Sequence, residues 1–292
     1  MKHAYLIMAH HRPDLLRELL DAIDDSRNDI YLHVDKKSTD IFDLNMKYAK
    51  LYQIDSMSIN WGGYSQVEGT YRLLKKATTS GEYQYYHFLT GATFPLKNQN
   101  EMHRFFDTYE GKQFIGYVSP NMERKTIERV KYHAVLPEAG AKKGVTGKLL
   151  RESRNMGYSI QKLLRIDYFK HYNMEYKKGI AYWSITDELA RFLLQKEGIV
   201  REMLLHSVSG DEVFVQTLTY NSLFKEAIYQ IGNEWEGSQR EVPWGQFGNR
   251  PGNNFAMEDL DYLINSNRCF ALKFEGKDGL KLINSIKKYK QI

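Results

Sequence analysis

The side chains in this sequence that can do chemistry are few and widely spaced. Asp211-Glu212, in Ser207-Val208-Ser209-Gly210-Asp211-Glu212-Val213-Phe214, puts two carboxylates at the entry to a helical pattern. A glutamate there suits a general base that takes the proton of an attacking hydroxyl; the same pair also suits a helix N-terminus with a first-turn negative charge. Asp35, in Leu32-His33-Val34-Asp35-Lys36-Lys37-Ser38, ends a strand-like run ahead of two lysines. Such a carboxylate can accept hydrogen bonds from a nucleoside while the lysines lie near phosphate, or it can serve only the turn. His10 stands at the neighbouring strand end and either lines the same crevice or is an ordinary loop histidine. Arg250, in a loop, and Lys273, in the late run Phe270-Ala271-Leu272-Lys273-Phe274, are cations that can stabilise a departing anion as a metal does elsewhere, or are plain surface charges. Trp244, in Arg240-Glu241-Val242-Pro243-Trp244, sits in a polar loop where an indole can stack on a sugar ring. Trp61 and Trp183 suit packing and ligand contact equally well.

Other chemistries are missing their signatures. One common way to hold a divalent ion at a strand end is an Asp-x-Asp pair, and the run into Thr90-Gly91-Ala92-Thr93 has none. Asp259-Leu260-Asp261 lies in a helical pattern, where positions two apart diverge, and reads as a solvated helix face. No Cys/His cluster suggests zinc, no Walker loop appears, and no Gly-x-Gly-x-x-Gly follows the first strand. Neither a metal nor a resident cofactor is expected.

These residues need strand ends to hold them. The first hundred residues alternate strand-length apolar runs with amphipathic stretches, the pattern of a mainly parallel α/β sheet flanked by helices. Strands are predicted at Ala4–Ala9, Ile30–Val34 and Gln84–Leu89. A helix opens at Pro13, with Leu15, Leu16, Leu19, Leu20 and Ile23 at helical spacing, and another runs from Ser65 to about Thr78. A short helix and strand are expected between Asp35 and the Trp61-Gly62-Gly63 turn. The middle, Asn121 to Tyr176, is basic and helical in character, with a Gly/Ala/Lys-rich loop at Glu138–Gly147. Later come a strand at Ile180–Ile185, helices at Asp187–Gln195 and Glu212–Tyr220, and a loop at Gly232–Asn254. A helix at Met257–Ile264, a strand at Cys269–Phe274 and a terminal helix finish the chain. In open parallel sheets ligands bind beyond the carboxyl ends of strands, which singles out His10, Asp35 and Thr90–Thr93. No repeat, linker or low-complexity tract divides the chain, so one domain over 1–292 is expected.

Composition narrows the partners. With 292 residues, 42% of them hydrophobic, the chain has enough apolar mass for a full core. Its 41 Lys and Arg against 36 Asp and Glu leave an excess of five without the dense basic tract of a nucleic-acid binder. A single cysteine, Cys269, points to a reducing compartment. The apolar stretch after Met1-Lys2-His3 is too short for a signal peptide core or a membrane span. A cytoplasmic protein is expected, with peripheral contact to the inner membrane surface.

In order and spacing, several blocks resemble the core-2/I-branching family of β-1,6-N-acetylglucosaminyltransferases and peptide O-xylosyltransferases. They are Tyr5–His10, His33–Ser38, Trp61–Ser65, Phe88–Leu96, Lys178–Ser184, Asp211–Thr217, Arg240–Trp244 and Phe270–Phe274. The resemblance implies a single-domain GT-A-like fold, a UDP-sugar donor, a glycan acceptor and inverting, metal-independent transfer. It implies residues 1–120 as the nucleotide-sugar half and 121–292 as the acceptor and catalytic half. By position it makes Glu212 the catalytic base, Asp35 a contact near the uridine, Lys273 and Arg250 the diphosphate-binding pair, and Trp244 an acceptor contact; the strand-end position of His10 places it in the same nucleotide pocket. UDP-N-acetylglucosamine is the first donor expected, UDP-xylose the second. Two departures stand out: Gly91-Ala92-Thr93 replaces the usual Gly-Gln-Asp, and Ser209-Gly210 replaces Ser-Pro. A non-catalytic carbohydrate-binding protein and a metal-dependent transferase using Asp259 or another carboxylate are the competing expectations.

Overall fold

A computed structural model describes residues 1–139, 144–245 and 253–292. The strands are β1 (His3–Ala9), β2 (Asn28–Val34), β3 (Lys50–Gln53), β4 (Tyr85–Thr90), β5 (Thr93–Pro95), β6 (Phe114–Ile115), β7 (Trp183–Ile185), β8 (Arg240–Glu241) and β9 (Phe270–Leu272). Six of them form a sheet in the order β3-β2-β1-β4-β7-β6. The pairings β3-β2, β2-β1 and β1-β4 are parallel, whereas β7 runs antiparallel to both β4 and β6. The sheet is therefore mixed, which corrects the mainly parallel expectation at one edge. A second sheet, β5-β9-β8, stands beside it.

The helices are α1 (Pro13–Ile23), α2 (Tyr64–Ser80), α3 (Gln99–Thr108), α4 (Pro120–Thr126), α5 (Glu128–Lys131), α6 (Gly144–Leu163), α7 (Asp187–Gln195), α8 (Glu197–Leu204), α9 (Phe214–Tyr220), α10 (Glu234–Ser238), α11 (Leu260–Asn265) and α12 (Gly279–Lys290). Strand side chains alternate between faces, and the core obeys that rule. Tyr5 and Ile7 of β1, Ile30 and Leu32 of β2, and Tyr85 and Leu89 of β4 pack with Leu16, Leu19, Leu20 and Ile23 of α1. Their alternates Ala4, Leu6, Tyr31, Tyr86 and Phe88 pack on the other side, with Val67, Tyr71 and Leu74 of α2. Burying each α1 leucine contributes about 2 kcal/mol. Leu15 and Ala22, on a different flank of α1, join Phe94, Phe274, Leu282 and Ile286, so α1 also holds the small sheet and α12.

Other expectations change. Between Asp35 and Trp61 the described backbone forms β3 and loops, with no helix. The stretch expected as loop at 232–254 contains α10, β8 and a 3₁₀ turn at Pro243–Gly245. Asp259 is buried, and its Oδ2 accepts from the backbone N–H of Ala256 at 2.9 Å, so it caps a 3₁₀ turn and is not a solvated helix residue. Among the described residues no helix is long and apolar enough to cross a membrane.

Candidate active site

A cavity of about 820 Å³ opens beyond the carboxyl ends of β1, β2 and β4. The sheet order explains its position: the chain leaves β1 toward β2 on one side and returns to β4 on the other, and the strand ends diverge at such a switch point. His10, Asp35, Glu212, Trp244 and Lys273 all line it. Arg250 lies outside the described residues; the described chain resumes at Asn253, which also lines the cavity.

Asp35 is buried at the end of β2, with its backbone N–H on the carbonyl of Ala9 at 2.8 Å. Its Oδ1 accepts from the N–H of Lys37 at 2.9 Å, and Lys37 Nζ lies 3.7 Å from Oδ2. Lys37 also donates to the carbonyl of Ile59 and to Asn60 Oδ1, which anchors it beside the carboxylate. The corner thus offers a fixed acceptor next to a fixed cation.

Glu212 closes a 3₁₀ turn, Gly210–Glu212, just ahead of α9. That turn is clipped to the start of α2. The N–H of Ser209 donates to the carbonyl of Gly62 at 2.7 Å, and Gln66 Nε2 donates to Asp211 Oδ2 at 3.2 Å. Gly62 has a φ of 76°, a region side chains disfavour, and a Cβ on Gly63 would strike the Glu138 carboxylate. Gly62 is therefore required by backbone conformation, whereas a side chain at Gly63 would have to displace the Glu138 carboxylate. The Glu212 carboxylate faces two cations that the sequence reading had not singled out: Lys178 Nζ at 2.8 Å and Arg129 Nη1 at 3.2 Å from Oε2. Its neighbour Asp211 also lines the cavity, yet its Oδ1 is buried without a hydrogen-bond partner. Burial, and then the charge of Glu212, push the Asp211 carboxyl up to about 7.

Lys273 follows β9, held through its carbonyl, which accepts from Phe255 N–H at 2.9 Å. Partial burial, then His11 and Lys273, hold the His10 imidazole below its ordinary value despite the opposing pull of Glu275. Among the described residues one group has donor atoms close enough to share a metal ion: His10, His11 and Glu275, all within 4.8 Å of one another. Asp259, the carboxylate named in the metal-dependent expectation, does not line the cavity, whereas Glu275 does. Trp244 packs edge-on against Trp235, ring centroids 6.3 Å apart, with one side toward the cavity. Trp61, 65% exposed, lines the cavity too, whereas Trp183 is fully buried in the core.

Against known proteins, a family model described as "Branch: Core-2/I-Branching enzyme" matches residues 3–253. Among curated relatives, an N-acetyllactosaminide beta-1,6-N-acetylglucosaminyl-transferase of Mus musculus is 28% identical over 295 residues, covering 93% of this chain and 68% of its own. The protein of the same name from Homo sapiens is 25% identical over 293 residues, with the same two coverages. Two solved structures of S. aureus TarS overlap at 16% identity with TM-scores of 0.28 and 0.29. The overlaps cover 37% and 48% of this chain and 20% and 43% of the TarS chains, too little to bear on its fold. The chain belongs to the core-2/I-branching enzyme family. It is an enzyme, a glycosyltransferase.

Proposed function

We propose that this enzyme transfers N-acetylglucosamine from a UDP-sugar to a carbohydrate hydroxyl with inversion and without a metal ion, forming a β-linkage. The reading takes the chain as one GT-A-like domain, with the nucleotide-sugar half in 1–120 and the acceptor half in 121–292. The observation that carries it is that Glu212 and Lys273 line the same cavity. A base and a fixed cation facing one space are what an in-line displacement needs. Asp35 accepts from the nucleoside, His10 borders it, and Lys273 with Arg250 takes the diphosphate charge. Glu212 removes the acceptor proton as that oxygen bonds to the anomeric carbon and the bond to the diphosphate breaks on the opposite face. Trp244 offers the acceptor sugar an apolar surface. The names of the mouse and human relatives favour N-acetylglucosamine, with UDP-xylose behind it.

Glu212→Gln tests the assignment. Turnover is expected to fall roughly 10²- to 10⁴-fold while UDP still raises the thermal midpoint as in wild type. Full activity in that variant would remove Glu212 from the mechanism. A second reading, metal-assisted departure of the diphosphate, is favoured by one observation, the His10, His11 and Glu275 group at the cavity. Chelator decides between them: activity unchanged by chelation supports Lys273 and Arg250 as the charge-bearing pair, and activity lost and restored by a divalent ion supports the second.

A further inference from the structure

Helix α6 has two unlike sides. One is docked: Gln161 bridges the backbone N–H and carbonyl of His133, and Arg154 donates to the carbonyls of Val135 and Leu136. On the same side Gly157 lies against Val135 and Tyr158 against Tyr132. On the other side Val145, Leu149, Met156, Ile160 and Leu163 are between 51% and 85% exposed. At 100° per residue these five fall within about 60° of one another, a continuous apolar stripe along the outside of the helix. A stripe of that kind is unusual on a surface that meets only water.

The charge beside it is as uneven. Exposed Lys148, Arg151 and Lys162 flank one edge of the stripe. Sequence positions 142–170 contain eight lysines and arginines against two acidic residues, an excess of six, whereas the whole chain has an excess of five. The rest of the protein is thus slightly acidic, and the positive balance belongs to α6 and its flanks. Among the described residues, the pairs of Lys148 with Glu152 at 3.9 Å and Lys162 with Glu128 at 3.4 Å are solvent-exposed and too weak to quench it.

We propose that α6 is a membrane-docking element that lies in the surface of an anionic bilayer, its stripe in the acyl boundary and its cations among the headgroups. An apolar stripe edged by lysine and arginine needs an apolar layer and a negative surface side by side, and an anionic bilayer supplies both. A second copy of the chain would satisfy the stripe but would press two strongly positive surfaces together. The segment leading to α6 is tied to the active-site side of the molecule: Glu138 accepts from the N–H and hydroxyl of Ser65 and from Asn60 Nδ2, next to the Trp61 turn. Docking is independent of the donor and mechanism proposed above.

The test is co-sedimentation of the purified full chain with phosphatidylcholine vesicles, with and without phosphatidylglycerol. Anionic lipid is expected to raise partitioning roughly tenfold at low salt, with the gain fading as salt is added. The double variant Leu149→Glu/Ile160→Glu is expected to lose most of the binding to both vesicle types. Lys148→Glu/Arg151→Glu is expected to lose only the preference for anionic lipid. All four substitutions are on the exposed side, and unchanged circular dichroism and an unchanged thermal midpoint establish that each variant is folded. Equal partitioning of wild type to both vesicle types, or an apolar-stripe variant that binds like wild type, overturns the proposal. So does a wild-type dimer in sedimentation equilibrium that this variant converts to monomer, without vesicle binding.

Discussion

Asp211→Asn is expected to stabilise the protein more at about pH 8 than at about pH 5. The reason is the carboxyl's position, buried beside the Glu212 charge with Oδ1 unpartnered, which pushes its folded pKa to about 7. In the unfolded chain an aspartate titrates near 4. Between those two values the folded state holds a proton that the unfolded state has released, so stability falls as pH rises from about 4 to about 7 and is level above. Three units correspond to about 4 kcal/mol at full development, of which about 1 to 2 kcal/mol is already present at pH 5. That leaves roughly 2 kcal/mol to develop between the two pH values. Asparagine keeps the acceptor for Gln66 Nε2 and does not ionise. Its amide group meets the same lack of a partner as the protonated acid, a cost that does not vary with pH. At about 2–4 °C per kcal/mol for a chain of this size, the variant's advantage in thermal midpoint should grow by roughly 4–8 °C from pH 5 to pH 8. Thermal unfolding of both proteins at the two pH values measures it. An advantage that stays constant or shrinks with rising pH would refute the view that a destabilised carboxyl sits beside the proposed base.

Lys273→Ala should weaken UDP binding about tenfold or more, read by calorimetry, with little change in fold stability. Lys178→Met should lower turnover about tenfold while UDP affinity stays put, because Glu212 loses the 2.8 Å contact that orients it; an equal loss of both would place Lys178 on the nucleotide instead. His3, His87 and His103 form a buried group in which His87 Nε2 lies 3.0 Å from His3 Nδ1 and the His3 and His103 rings stack at 4.1 Å. Burial first of all depresses all three, His103 to about 4. Their stabilising effect is therefore complete above the ordinary histidine value and is lost as pH falls below it. Urea midpoints in the Asp211→Asn background should drop between about pH 7 and pH 5, and His103→Gln should flatten that slope. A midpoint insensitive to pH would contradict it.

Much of the scaffold was legible because its elements declare themselves locally. The apolar runs of β1, β2 and β4, and the leucine spacing of α1, follow from burial on a two-residue or 3.6-residue period. The helix α3 was missed although its signal was present: Asn98 and Glu101 form a reciprocal capping box. Strands β5, β6 and β8 are only two or three residues long and carry no period of their own. Family blocks singled out His10, Asp35, Glu212, Trp244 and Lys273 by type and order.

The sequence by itself determined which segments have a buried face, that the chain has one cysteine, and that its chemistry-bearing residues stand at strand ends and turns. Only the tertiary structure decided that β7 enters the sheet antiparallel, that Lys178 and Arg129 meet Glu212, that Asp211 Oδ1 is buried without a partner, and that α6 turns an apolar side outward. Periodicity reports the two sides of a single element. Which side finds a partner, and which charges end up 3 Å apart, depends on packing between segments distant in the chain, and no local pattern encodes that.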